Sequence, residues 1–189
     1  PRPDHRHTLQ HGQMIDAPLF RRMAALGLCA NLFTNHLWYW GDQHYEMTMG
    51  PDRANRMDAC ASALAAGVPL AVHSDAPVTP LGPLFTAWCA VNRVTPSGRV
   101  LGEAERISVP QALHAITLGP AWTLKLDQEI GSSECGKRAA RPGPASDPIV
   151  HGGMQALRLG GLRHRLESGV PVRVSDIRLV VIAIAAALC

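Results

Sequence analysis

The chain has 189 residues, a formal net charge of +3, 47% hydrophobic residues and 17% charged residues. This composition is that of a globular protein and excludes a disordered or collagen-like chain. Because the net charge is small and no dense run of lysine and arginine occurs, we expect no nucleic-acid partner. All nine aromatic residues lie between Phe20 and Trp122.

The ends of the chain and its cysteines indicate the cellular compartment in which we expect the protein. Pro1 to His7 is polar and no apolar stretch follows, so we expect no signal peptide. Since the chain opens on proline, we expect a processed protein or a fragment. The longest apolar run, Leu179–Cys189, is about half the length of a membrane helix and predicts no membrane insertion. The five cysteines are widely spaced without a C-x-x-C pair, which favours reduced thiols and a cytoplasmic protein.

The first third of the chain alternates strand and helix signals. Thr8–Gly12 predicts a strand that ends at His11. A helix then follows, because Asp16 can cap its start and Gly27 can stop it. Leu28–Thr34 is apolar and predicts a second, buried strand.

The middle of the chain repeats this alternation after a longer connection. Asn35–Gly50 is predicted as a long loop, and a helix is predicted from Asp52 to Gly67. Val68–Val72 predicts the third apolar strand, His73–Pro83 a proline-rich loop and Leu84–Val94 another helix.

A last helix signal completes the pattern. Ser108 and Gln111 have the spacing of a capping box. Short apolar strands that alternate with amphipathic helices predict a parallel sheet covered by helices. Three strands would leave open edges, so we expect part of a (β/α) barrel or of a doubly wound sheet.

The composition changes after Lys137. Residues 1–137 hold 11 basic and 12 acidic residues, whereas 138–189 hold seven arginines and three acids, together with many glycines and prolines. We therefore predict two parts, a barrel-like region over 1–137 and an atypical, irregular tail over 138–189. The tail can be a flexible extension, an out-of-frame translation of GC-rich DNA or a small folded appendage.

Polar side chains follow each predicted strand. His11, His36 and Asp75 stand where functional residues of parallel β/α folds lie. An acid directly after an apolar strand needs a cation, a metal ion or several hydrogen bonds. The structural alternatives are a packing role for each histidine and a turn-capping role for Asp75 before Pro77.

Other chemical patterns carry less weight. His5 and His7 precede the first strand in a charged lead-in, which favours solvated side chains over a metal motif. His73–Asp75 contains the residue types of a catalytic triad, but neighbours on an extended segment point to opposite sides, so a nucleophilic Ser74 is not expected. Three aromatic residues of the long loop either line a substrate pocket or pack the loop: Trp38, Tyr39 and Trp40.

Three stretches resemble one known family. His-Arg-His-Thr-Leu-Gln-His-Gly-Gln at 5–13, Val-His-Ser-Asp-Ala-Pro-Val at 72–78 and Ile-Gly-Ser-Ser-Glu-Cys-Gly-Lys at 130–137 are similar to landmarks of amidohydrolases. The resemblance is to the amidohydrolase family 3 branch, which includes formamide-deformylase-like enzymes. It covers about residues 4–139.

The resemblance implies a (β/α)8 TIM barrel of which this chain supplies about strands six to eight with their helices. His11 then matches a metal-ligand histidine, and Asp75 matches an aspartate that touches the metal and takes a proton from the attacking water. His36 matches a position near the substrate, and we add Trp38 as a substrate-binding candidate. The implied cofactor is a divalent metal, most simply zinc, and the implied substrate is a small amide-like molecule.

Departures from the family pattern shape the functional prediction. The strand-one His-x-His, the bridging lysine and the strand-five histidine have no counterpart here, His73 replaces a more usual glycine, and 138–142 replaces Ala-Asp-Phe. We therefore predict part of a metal-dependent amidohydrolase that is inactive by itself. The alternatives are a deaminase of the same superfamily and a non-catalytic module that self-associates through exposed barrel edges.

Overall fold

The computed structural model describes residues 4–138. Three short strands and eight α-helical segments follow one another in this order: β1 (Thr8–His11), α1 (Ala17–Leu26), β2 (Cys29–Leu32), α2 (His36–Tyr39), α3 (Gly41–Gln43), α4 (Pro51–Arg56), α5 (Cys60–Ala65), β3 (Leu70–Val72), α6 (Pro83–Asn92), α7 (Val109–Ile116) and α8 (Leu118–Thr123). A π-helical turn covers His44–Thr48 and a 3-10 turn covers Glu103–Glu105.

The strands form one parallel sheet in the order β1-β2-β3. Thr8 pairs with Cys29, and Asn31 pairs with Ala71. Helices separate consecutive strands, as parallel pairing requires. The predicted parallel α/β arrangement is therefore confirmed. Strands β2 and β3 are shorter than the apolar runs from which they were predicted.

Two helix ends follow the local sequence signals. The Asp16 side chain accepts a hydrogen bond from the Leu19 amide at 2.9 Å, and Gly27 ends α1 with φ of +69°. Gly27 suits this left-handed position because it has no Cβ to clash. At α7, Ser108 and Gln111 form the predicted capping box.

The predicted loop at Asn35–Gly50 is wrong. The segment is instead a chain of short helical turns, from α2 and α3 to the π-turn. Backbone hydrogen bonds link these turns, from Trp40 N to His36 O and from His44 N to Trp40 O. Leu37 is fully buried, so the apolar side chains of this segment pack inward while its backbone groups pair locally.

The predicted helix from Asp52 to Gly67 is also wrong as a single element. It breaks between α4 and α5, where Asp58 has φ of +49°. The guanidinium of Arg93 donates hydrogen bonds to the carbonyls of Met57 and Asp58. These carbonyls consequently have partners outside the helix, and the chain can turn at this point.

The core of the described residues lies between the sheet and its helices. Phe20, Met23 and Leu32 are among the buried apolar side chains. The cysteines of this region are free thiols, buried at Cys29, Cys60 and Cys89 and exposed at Cys135, as expected for reduced cysteines. Within residues 4–138, no helix combines the length and the apolar character that crossing a membrane requires.

Every element named above lies within one compact unit that ends at Gly131. The domain boundary after Lys137 stays a prediction. The interpretations of the tail beyond Arg138, including the apolar run Leu179–Cys189, lie outside the described residues.

Candidate active site

The carboxyl ends of β1 and β3 bring together two of the predicted site residues. His11 is the last residue of β1, and Asp75 follows β3 by three positions. His11 Nε2 lies 4.0 Å from Asp75 Oδ1. The two side chains are 48% and 36% exposed, so both are accessible to a ligand from solvent.

His73 joins this pair, although the sequence analysis did not select it. Its ring centroid lies 4.9 Å from that of His11, and its Nδ1 accepts a hydrogen bond from the Asp75 amide at 3.1 Å. The ring proton of the neutral form therefore sits on Nε2, which is buried without a partner. Burial, followed by the neighbouring His11, lowers the pKa of His73 to about 4. His73 is thus neutral at physiological pH.

One signal for His73 was present in the sequence, namely its place two residues before Asp75. The expectation that neighbours diverge assumes an extended backbone. The backbone is not extended here, because Asp75 has φ of +52° and its amide donates a hydrogen bond back to the His73 ring.

Phe33 packs among three histidines, His11, His36 and His73, which we call the histidine cluster. Its ring centroid lies 4.2 Å from His36, 5.2 Å from His73 and 5.6 Å from His11. His36 in turn lies 6.3 Å from His11 by ring centroids. Phe33 therefore holds the predicted substrate-facing histidine beside the predicted metal ligand.

A buried carboxylate lies behind His36. Asp58 is fully buried, and its Oδ2 is 3.4 Å from His36 Nδ1. Burial raises the pKa of Asp58, while the nearby His36 opposes that shift. The sequence analysis missed Asp58 because it placed this residue inside one continuous helix.

The structure places Trp38 in a different aromatic group. Its ring contacts Phe85 at 6.0 Å and Trp88 at 5.5 Å between centroids. Trp40 instead lies 5.7 Å from His36. A role for Trp38 in substrate binding stays a prediction.

The donor set fits part of a divalent-metal site. Imidazole nitrogen and carboxylate oxygen are both zinc ligands, and catalytic zinc sites combine three protein ligands with a water molecule. His11 and Asp75 supply two such donors on facing side chains. Within the part of the chain that the structure describes, no three His, Cys, Asp or Glu side chains are grouped to hold an ion.

Comparison with known proteins finds curated relatives of this chain. The chain is 31% identical to the N-substituted formamide deformylase of Arthrobacter pascens over 132 residues, which cover 69% of this chain and 24% of that protein. It is also 31% identical to Protein LONG AFTER FAR-RED 3 of Arabidopsis thaliana over 138 residues, covering 72% and 24% respectively. The chain thus spans about a quarter of the length of the curated relatives it matches.

A solved structure supports the fold. An uncharacterized metal-dependent hydrolase from Pyrococcus horikoshii OT3 matches with a TM-score of 0.58 at 22% sequence identity, over 70% of this chain and 27% of that one. The model of the amidohydrolase family matches residues 1–139. The chain therefore belongs to the amidohydrolase family.

Proposed function

We propose that this chain is part of a metal-dependent amidohydrolase that cleaves a non-peptide C–N bond in a small amide-like substrate. The observation that carries the proposal is the approach of His11 and Asp75 to 4.0 Å at the carboxyl ends of two strands in a parallel sheet. We further propose that β1, β2 and β3 are consecutive strands of a (β/α)8 barrel, whose active sites lie at this end.

His11 and Asp75 are the residues that would hold a divalent ion, which we propose to be zinc. Such an ion, when bound, lowers the pKa of a water molecule to about 7 and polarises a carbonyl group. Asp75 accepts the proton of the attacking water and passes it to the leaving nitrogen. His11 and Asp75 are two ligands of such a site. We propose that its remaining ligands belong to the part of the enzyme that corresponds to the unmatched regions of the longer relatives.

The neighbouring residues bind the substrate. His36 offers a hydrogen-bonding ring nitrogen beside His11, and Phe33 excludes water from one side of the cluster. We also propose that Trp38 binds substrate and that the protein is cytoplasmic. With these residues, the proposed enzyme binds and hydrolyses a small-molecule substrate.

A chimera tests this function. The segment of the Arthrobacter pascens deformylase that matches residues 4–138 is replaced by those residues, and hydrolysis of N-substituted formamides and other amides is measured. We expect turnover that Asp75→Asn lowers by about 10²–10⁴-fold, the range for loss of an acid–base group. Asp52→Asn, a change at an 85% exposed carboxylate, should leave it unaltered.

One result would count against the amidohydrolase proposal, and a second would count only against the predicted inactivity of the isolated chain. An Asp75→Asn chimera as active as its parent would remove Asp75 from the chemistry. Hydrolysis by the 189-residue chain alone, abolished by Asp75→Asn, would contradict the expectation that this chain is inactive by itself.

Within the described residues β1 is an edge strand of the sheet, and this supports a second proposal, self-association of the isolated chain. Leu9, Gln10 and His11 are all exposed on this strand. An uncovered strand edge favours pairing with another chain. Light scattering should show oligomers, and a well-behaved monomer would contradict the proposal.

A further inference from the structure

The Asp58 carboxylate is a buried polar group that the proposed hydrolysis does not use. The residue is fully buried, and neither side-chain oxygen has a hydrogen-bond partner at ordinary geometry. A buried carboxylate without a partner costs several kcal/mol, so a nearby donor is needed. His36 Nδ1, 3.4 Å from Oδ2, is also buried without another partner.

The backbone around Asp58 is held from several directions. The buried Arg93 guanidinium donates from Nη1 to Asp58 O at 2.9 Å and from Nη2 to Met57 O at 2.7 Å. Its Nε donates to Leu101 O at 2.6 Å, and the Asp58 amide donates to Gln13 O at 2.8 Å. Aspartate tolerates the left-handed backbone that this turn imposes. The turn therefore fixes where the carboxylate lies.

The His36 ring shows which of its nitrogens is left for a ligand. Its side chain keeps 16% exposure, whereas Nδ1 is buried. The accessible part of the ring is therefore away from Asp58. Phe33 packs against the ring at 4.2 Å and Trp40 at 5.7 Å between centroids, which limits its rotation.

We propose that Asp58 is a positioning residue whose carboxylate accepts a hydrogen bond from the Nδ1–H of His36 and leaves Nε2 as an acceptor. The hydrogen bond made by one ring nitrogen decides which tautomer a histidine adopts. His36 then accepts a hydrogen bond from a substrate N–H, which favours substrates with an N–H next to the scissile carbonyl. This last step rests on the proposed function, whereas the tautomer does not.

Nitrogen NMR on the full 189-residue chain tests the tautomer. Long-range proton–nitrogen correlation spectra are recorded at mildly alkaline pH with a chelator present, and His36 is assigned with His36→Gln. In the unsubstituted chain we expect a protonated Nδ1 and an unprotonated Nε2 at His36. In Asp58→Leu the proton should move to Nε2, because the acceptor is gone. The same change at an exposed carboxylate, Asp52→Leu, should leave the His36 pattern intact.

Two NMR results would overturn the proposed tautomer. A His36 proton on Nε2 in the unsubstituted chain overturns the proposal, and so does a proton that stays on Nδ1 in folded Asp58→Leu. If Asp58→Leu fails to fold, the spectrum of the unsubstituted chain decides alone. Because the readout is a proton position, failure of the chimera to hydrolyse amides leaves this test untouched.

Discussion

The two halves of the candidate site differ in how firmly the protein holds them. His11 and Asp75 are partly exposed and meet only across 4.0 Å. His36 and Asp58 lie deeper, and the turn that carries Asp58 is bonded to the buried Arg93. Among the described residues, the exposed pair offers two metal-binding side chains, fewer than a catalytic zinc site uses, whereas the turn that carries Asp58 is held by hydrogen bonds within the protein. Under the proposed function, the buried half supports the ring that we assign to substrate binding, and the exposed half needs further ligands to hold an ion.

The largest expected effect comes from removing the support of the buried half. Arg93→Met removes the donor of the Met57 and Leu101 carbonyls, whereas the Asp58 carbonyl keeps the Cys60 amide, and we expect a loss of about 4 kcal/mol in the free energy of unfolding. Urea unfolding measures the loss. Arg56→Met, at an exposed arginine, should change stability by less than about 0.5 kcal/mol. A loss below about 1 kcal/mol in Arg93→Met would show that the turn does not need this residue.

The next effect is a dependence of stability on pH. Burial lowers the pKa of His73 from 6.5 to about 4, so the unfolded chain binds a proton at higher pH than the folded chain does. The stability that neutral His73 contributes is therefore complete above pH 6.5 and is lost as the pH falls towards 4. Because the ring is only partly buried, we expect a loss on the order of 2 kcal/mol.

Urea unfolding between pH 7 and pH 4, with a chelator present, checks this loss. His73→Gln should flatten the profile, although His44, whose pKa burial also lowers, adds a decline in the same direction. His114→Gln, at an exposed histidine, should follow the parent chain. Identical profiles for His73→Gln and the parent chain would contradict the assignment.

The smallest effect is expected on the exposed edge. Leu9 is 43% exposed on β1, so Leu9→Lys should change the free energy of unfolding by less than about 1 kcal/mol. Because a lysine discourages edge pairing, the same change should lower the mass that light scattering reports for the isolated chain. A marked loss of stability would show that this side chain packs more closely than its exposure indicates.

The sequence predicted the exposed half of the site better than the buried half. His11 and Asp75 could be found because His11 ends a strand-like run and Asp75 follows an apolar one, and parallel strands bring such ends together. Asp58 could not, because its position depends on Arg93, which lies 35 residues further along the chain. The same long-range contact explains why one predicted helix is two. The turns at Asn35–Gly50 were missed for a related reason, since burial of Leu37 stabilises segments too short to show a helical period.

A zinc titration tests the central claim, that His11 and Asp75 bind one divalent ion together. Calorimetry on the metal-free chain should show weak binding, which His11→Gln and Asp75→Asn each reduce at least about tenfold, a change of about 1.4 kcal/mol. The double variant should lose little more than either single one, because both remove the same site. His114→Gln and Asp52→Asn serve as matched controls. Zinc binding that neither His11→Gln nor Asp75→Asn weakens would contradict a shared metal site at these two residues.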